Sequence, residues 1–356
     1  MLQTILIILL SIVAFGVLIA VHEGGHFLAA KACGVKVNEF SLGMGPKLLQ
    51  KQGRETLYSL RAFPIGGFCA MEGEDEETGD PRAFAAKSAW RRVVILLAGP
   101  LMNFLLGFVL VLCIVGSANL REPVVASFVP GCPYEGEDGL LVGDKILSVD
   151  GHRTFFSNNF SEYMRRSGGD RHDIVLIRDG ARVTLENYSM PPLEFTTESG
   201  AHRGYGFYFA PREFGVGANL RYAWYESLVF VRLVWESLGD LVSGAVGVRE
   251  LTGIVGVVDY VTQVTSEAED VSRASFDFIF FFSLIAVNLA VMNLLPIPAL
   301  DGGRIFFLFV TWVIEHVSRR KLNPKYEAYV HGAGLILLMG LMVFVLFNDV
   351  FRIVTR

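Results

Sequence analysis

His22, Glu23 and His26 fall within the run His22-Glu23-Gly24-Gly25-His26. An α-helix turns once in about 3.6 residues, so histidines four apart share a face and both imidazoles can reach one cation. Zn2+ suits such a pair, and the adjacent glutamate is placed to address a water beside the ion. So short a run also fits two interfacial histidines with a snorkelling glutamate. The surroundings favour the metal, because the run closes an apolar stretch from Leu2 to Ala30 whose only formally charged residue is Glu23. Ionisable groups in a membrane span are costly and mark sites, and a cation shared by neutral imidazoles relieves that cost.

Catalytic zinc commonly takes three protein ligands and leaves one position open. The candidate for the third is Asp301, in the run Asn293-Leu294-Leu295-Pro296-Ile297-Pro298-Ala299-Leu300-Asp301-Gly302-Gly303. Pro296 and Pro298 lack amide protons, so the backbone here must leave the regular helix, which is tolerated at membrane depth where it lines a cavity. The competing account is a proline kink with Asp301 capping a helix that starts at Gly302.

These residues need apolar elements to carry them. The chain has 356 residues, 52% hydrophobic and 19% charged, and a mean hydropathy of +0.44, which excludes an ordinary soluble domain. A net charge of −5 leaves no basic excess for a nucleic-acid partner. Cys33, Cys69, Cys113 and Cys132 have no regular spacing, which excludes a disulfide scaffold or a thiolate zinc site. Four stretches are long enough to cross a bilayer: Leu2 to Ala30, Val93 to Gly116, Phe278 to Leu300 and Gly332 to Phe347. The first lacks the basic lead of a signal peptide and is expected to be retained.

Lys31, Lys36, Lys47, Lys51, Arg54, Arg61, Arg82, Lys87, Arg91 and Arg92 lie between spans one and two, and Arg319, Arg320, Lys321 and Lys325 between three and four. By the positive-inside rule both loops are cytoplasmic, both termini face outward, and His22, His26 and Asp301 lie toward the cytoplasmic ends of their spans. Glu72, Glu74, Asp75, Glu76, Glu77 and Asp80 read as a solvated loop without a role.

In the outer connection, Val124–Val129, Lys145–Val149, Asp173–Arg178 and Arg182–Leu185 read as strands between Gly, Asp and Pro turns. Within them Gly139, Leu140, Gly143, Asp144, Ile146, Leu147, Val149, Asp150 and Gly151 resemble the core pattern of PDZ domains, which add an extended peptide to a sheet edge. From Leu220 to Val242 the apolar positions recur at three and four, an amphipathic helix that lies on the membrane or packs on the preceding domain. The expected fold is a polytopic α-helical membrane protein with about four transmembrane helices and an inserted extracytoplasmic β-rich PDZ-like domain. The boundaries are 1–116 for the first membrane half, 117–205 for the PDZ-like domain, 206–275 for the connector and 276–356 for the second membrane half.

The assembled motifs resemble the site-2 protease family of intramembrane zinc metalloproteases, in its bacterial branch that cleaves membrane-spanning anti-sigma factors. His22 to His26 is similar to its first motif and Asn293 to Gly303 to its second. Phe40 to Lys47, Pro64 to Gly67, and Ala98, Gly99, Pro100, Asn103 and Phe104 are similar to further stretches. The resemblance implies Zn2+ held by His22, His26 and Asp301, Glu23 as catalytic acid/base and Asn293 as an active-site asparagine. It implies a multi-pass protein of the bacterial inner (cytoplasmic) membrane acting in regulated intramembrane proteolysis. The substrates it implies are single-span membrane proteins such as pre-trimmed anti-sigma factors, or remnant signal peptides, met in the lipid bilayer, and Glu55 to Phe63 would be an arm pairing with extended substrate. Two features depart from the family: the Gly24–Gly25 pair, for which close approach of another segment is the expected reason, and Gly253-Ile254-Val255-Gly256, which lacks the usual proline. The competing function is a non-catalytic scaffold with a structural metal and a tail-binding PDZ domain.

Overall fold

The computed structural model describes all residues except 1, 75–77, 119, 198–199, 248–251, 267, 269, 319–323 and 356. In chain order, α1 (Leu2–Ala32), β1 (Val37–Gln52), β2 (Leu57–Met71) and α2 (Ala89–Ile114) come first. A β-rich stretch follows with β3 (Arg121–Phe128), β4 (Lys145–Val149), β5 (His152–Arg153), α3 (Ser157–Arg166), β6 (Arg171–Arg178), β7 (Ala181–Ser189), β8 (Leu193–Thr197), β9 (Gly200–Gly204) and β10 (Phe207–Pro211). The remainder is helical: α4 (Val216–Ser243), α5 (Ile254–Ser266), α6 (Val271–Asn293), α7 (Asp301–Ser318) and α8 (Pro324–Val354). Contacts divide the chain into one unit of Met1–Ile114 with Phe230–Arg356 and a second of Val115–Val229.

In the first unit, Thr4–Ala32, Ala89–Ile114, Val271–Asn293 and Tyr329–Val354 are long and apolar enough to cross a membrane. The third differs from expectation, since its helix ends at Asn293 and not at Leu300. Two prolines in the next five residues withhold amide protons, and helix resumes as α7 only at Asp301. Neither α7 nor α5 is foreseen by the search for long apolar stretches. α2 packs on both α1 and α6. Its approach to α6 depends on Gly107, where an added Cβ would strike Val287 Cγ2 at 2.7 Å. Leu18, Phe282 and Ala286 are buried between these helices.

The proline-free turn before α5 has its own logic. Asp349 of α8 is fully buried, and its Oδ2 accepts the N–H of Gly253 at 3.0 Å and of Gly256 at 2.8 Å. A Cβ at either glycine would fall within 3 Å of that carboxylate, so this chain fastens the start of α5 with a buried acid.

β1 and β2 pair in two registers. Leu57–Leu60 lie opposite both Glu39–Leu42 and Leu49–Gln52, whereas Gly67–Met71 pair only with residues 37–42 among the described residues. The expected arm at Glu55–Phe63 is therefore the enclosed part of this sheet, and the strand with a free edge is the one that follows the Pro64–Gly67 turn.

In the second unit the sheet runs β10-β3-β4-β6-β7, with β5 beside β4, and β8 and β9 form a separate pair. Because β10 pairs with β3, the sheet extends past residue 205. Leu140, Ile146, Val149, Phe160, Ile174, Leu176 and Met190 are fully buried in its core. Asp144, nearly unexposed, accepts from Arg178 Nε at 2.9 Å, Arg178 Nη2 at 2.7 Å and the Leu141 N–H at 2.8 Å. The expected amphipathic helix is present as α4.

Candidate metal centre

His22, Glu23 and His26 lie in the last third of α1, and Asp301 is the first residue of α7. The turn between α6 and α7 folds so tightly that a Cβ on Gly302 would overlap the Leu294 carbonyl, and one on Gly303 the Ile297 carbonyl. Ala299 is held at φ 73°, a left-handed value costly for a residue with a Cβ. Asp301 is thus delivered by a locked turn and heads a helix at once, which joins the two accounts that its sequence leaves open.

His22 Nε2 lies 3.2 Å and His26 Nε2 3.3 Å from Asp301 Oδ2, and the two Nε2 atoms are 3.2 Å apart. His26 donates its Nδ1–H to the Ile95 carbonyl at 2.8 Å, so in the neutral ring its Nε2 bears a lone pair. That lone pair faces Asp301 Oδ2, which is buried and accepts no hydrogen bond. Two ring nitrogens and a carboxylate oxygen drawn this close suit a shared cation, and among the described residues these three form the cluster able to hold one. Two nitrogens and a carboxylate oxygen are donors that zinc takes.

The surroundings of His26 explain one half of the glycine pair. A Cβ on Gly25 would collide with the Ala98 carbonyl, and one on Gly99 with the His26 ring, whereas Gly24 has nothing within 4 Å. The expected close approach holds for Gly25 alone.

A cavity of about 610 Å³ opens on the cluster, lined also by Glu23, Asn293, Phe68 to Glu74 and Arg304. The free-edged part of β2 is one of its walls. Cys69 lies there as an inert thiol, because burial pushes it up to about 12. Glu72 and Glu74 are not a bare solvated loop. Glu72 accepts from Asn38 and Lys36, both at 3.0 Å, and with Thr78 these hold its carboxyl near 2. Glu74 accepts the Met71 N–H at 3.2 Å and pairs with Arg304. Asp75, Glu76, Glu77, Arg319, Arg320 and Lys321 lie outside the described residues.

Sequence reasoning missed Ile95, Arg304 and Glu74. Arg304 had a signal, its place one turn after Asp301; a backbone carbonyl has none.

Peptidase family M50 matches residues 10–341. A protein of Clostridium acetobutylicum that carries a provisional zinc-metalloprotease name is 36% identical over 345 residues, covering 96% of this chain and 97% of that protein. The zinc metalloprotease RasP of Bacillus licheniformis is 28% identical over 425 residues, 96% of this chain and 98% of that one. The regulator of sigma-W protease RasP of Bacillus subtilis is 27% identical over 425 residues, 96% and 97% of the respective chains. With a family match of this extent and four helices apolar enough to span a bilayer, the chain is a multi-pass, zinc-dependent membrane metalloprotease and belongs to peptidase family M50, the site-2 proteases.

Proposed function

We propose that His22, His26 and Asp301 hold the zinc and that Glu23 and Asn293 act on a peptide bond in or near the transmembrane segment of a single-span membrane protein. The observation that carries this is the convergence of two imidazole nitrogens on a buried carboxylate oxygen that has no hydrogen-bond partner, in a cavity that Glu23 and Asn293 also line. Bound there, zinc supplies positive charge that polarises water and the scissile carbonyl. The Glu23 carboxylate takes the water proton and returns it to the leaving nitrogen, and Asn293 steadies the substrate carbonyl. A substrate helix hides its amides in its own hydrogen bonds, so it must unwind before attack. The free edge of β2 at Gly67–Met71 offers replacement partners to the unwound strand.

The substrate class follows from the resemblance and from relatives such as RasP: anti-sigma factors shortened on the outer side, or remnant signal peptides, cut in regulated intramembrane proteolysis. The unit at Val115–Val229 acts as a PDZ-like filter or dock outside the inner membrane, where both termini also lie, while water reaches the zinc from the cytoplasmic side. The buried Leu140, Ile146 and Val149 and the turn at Asp150–Gly151, both with positive φ, support the PDZ reading.

The test is purified protein cleaving a labelled transmembrane peptide, against Glu23→Gln. The variant should lose about 10²- to 10⁴-fold in turnover or more while keeping its zinc. Turnover at the wild-type rate would remove Glu23 from the reaction.

A further inference from the structure

His26 has its tautomer fixed by the Ile95 carbonyl; His22 needs an equivalent, because a neutral imidazole binds a cation only through the nitrogen without a proton. The candidate lies on the same face of α2. Positions 95, 99 and 103 are four apart and form one stripe: Ile95 accepts from His26, Gly99 makes room for its ring, and Asn103 reaches His22. Asn103 is 1% exposed. Its Nδ2 lies 3.3 Å from His22 Nδ1, and its Oδ1 is buried with no hydrogen-bond partner. A carboxamide oxygen stranded beside an imidazole nitrogen needs an explanation.

We infer that Asn103 is a positioning residue that accepts the Nδ1–H of His22 through Oδ1 and so reserves His22 Nε2 for zinc. With Nδ2 donating instead, His22 would carry its proton on Nε2, the nitrogen directed at Asp301, and would be closed to a cation. Half a turn of the amide exchanges Nδ2 and Oδ1 at nearly the same heavy-atom positions. Nδ1–H then donates to Oδ1, the stranded oxygen gains its partner, and both histidines present Nε2 lone pairs to Asp301. One helix stripe thereby sets both ligands, with a backbone carbonyl serving one and a side-chain amide the other.

The inference rests on the zinc site proposed above, and the experiment separates the two. Zn2+ affinity is measured by chelator competition on full-length protein in detergent, for the wild type, Asp301→Ala, Asn103→Leu and Asn103→Asp. Asn103→Leu, which keeps the volume and loses the acceptor, should weaken zinc binding by roughly 10- to 100-fold. Asn103→Asp, which keeps an acceptor, should bind at least as tightly as wild type. If Asn103 only packs α2 against α1, the order reverses, since leucine fills the space and a buried carboxylate does not; that order, or wild-type affinity in Asn103→Leu, overturns the inference. Unchanged affinity in Asp301→Ala would instead remove the zinc site as proposed. Should either Asn103 variant fail to fold, 15N-histidine spectra of the zinc-loaded wild type decide: a protonated Nδ1 on His22 is expected, and zinc bound through Nδ1 overturns the inference.

Discussion

Asp144 and Asp301 are both withdrawn from solvent, yet their neighbours treat them in opposite ways. Asp144 receives two guanidinium N–H groups from Arg178 and a backbone amide from Leu141, so each oxygen is matched by donors. Asp301 directs Oδ2 at two imidazole nitrogens, and that oxygen has no hydrogen-bond partner. A buried carboxylate that its own unit satisfies is part of the framework, and one that turns an unpartnered oxygen toward two imidazoles fits the proposed cation site. The contrast divides labour between the units, with rigid β packing in one and the proposed metal centre in the other.

The hardest test of that contrast is Asp301→Ala. Zinc affinity should fall by more than the roughly 10- to 100-fold typical of changes outside the ligand set, because two imidazoles leave the ion under-coordinated. Asn293→Ala, from the same cavity, should keep its zinc and lose about 10²- to 10³-fold in turnover. Metal analysis of the two purified proteins checks both, and zinc lost from Asn293→Ala would reassign that residue to the ion.

Arg178→Ala tests the other member. It strands the Asp144 carboxylate in the β core, where loss of one partner of a buried pair costs about 3–5 kcal/mol. Thermal unfolding should show the β unit weakened, with zinc content unchanged and a short, pre-trimmed substrate still cut. Loss of zinc along with the β unit would refute the division of labour, and loss of the short substrate's cleavage would refute the filter.

How far this was legible from sequence depends on the range of the forces involved. The His22–His26 pair declares itself because a helix imposes a four-residue period whatever surrounds it. Asp301 could be inferred from its neighbourhood, since Pro296 and Pro298 forbid regular helix wherever they stand. The four apolar helices follow from bilayer thickness. Illegible were features that arise only when distant segments pack. Asn103 meets His22 across 81 residues, and an asparagine shortly after Gly99-Pro100 carries no mark of its partner. Ile95 contributes a backbone atom that any residue would supply. α7 escaped notice because Arg304, Glu315 and His316 dilute its apolar character. The double pairing of Leu57–Leu60 depends on β1 turning back at Gly43 and Gly45, both at positive φ, a turn hidden in what looks like one extended run.

The smallest expected effect lies at the rim of the cavity and combines the two behaviours, a carboxylate satisfied by its own chain but only partly shielded from water. The Asn38 amide, the Lys36 ammonium and the Thr78 hydroxyl draw Glu72 from its ordinary 4.5 down to about 2. A carboxyl whose value is depressed in the folded state adds stability that is fully present above its unfolded value and is lost as pH falls through the folded one. For Glu72 the loss therefore falls between about 4.5 and about 2. Glu72→Gln should lower the unfolding temperature slightly near neutral pH, and the gap from wild type should close across that acid window, because a protonated glutamic acid and a glutamine are then near equivalents. High salt should shrink the neutral-pH gap as well, since exposed ion pairs are screened. A gap that stayed constant from neutral pH down to about 2 would mean that Glu72 acts by packing, and the rim would then be held by shape and not by charge.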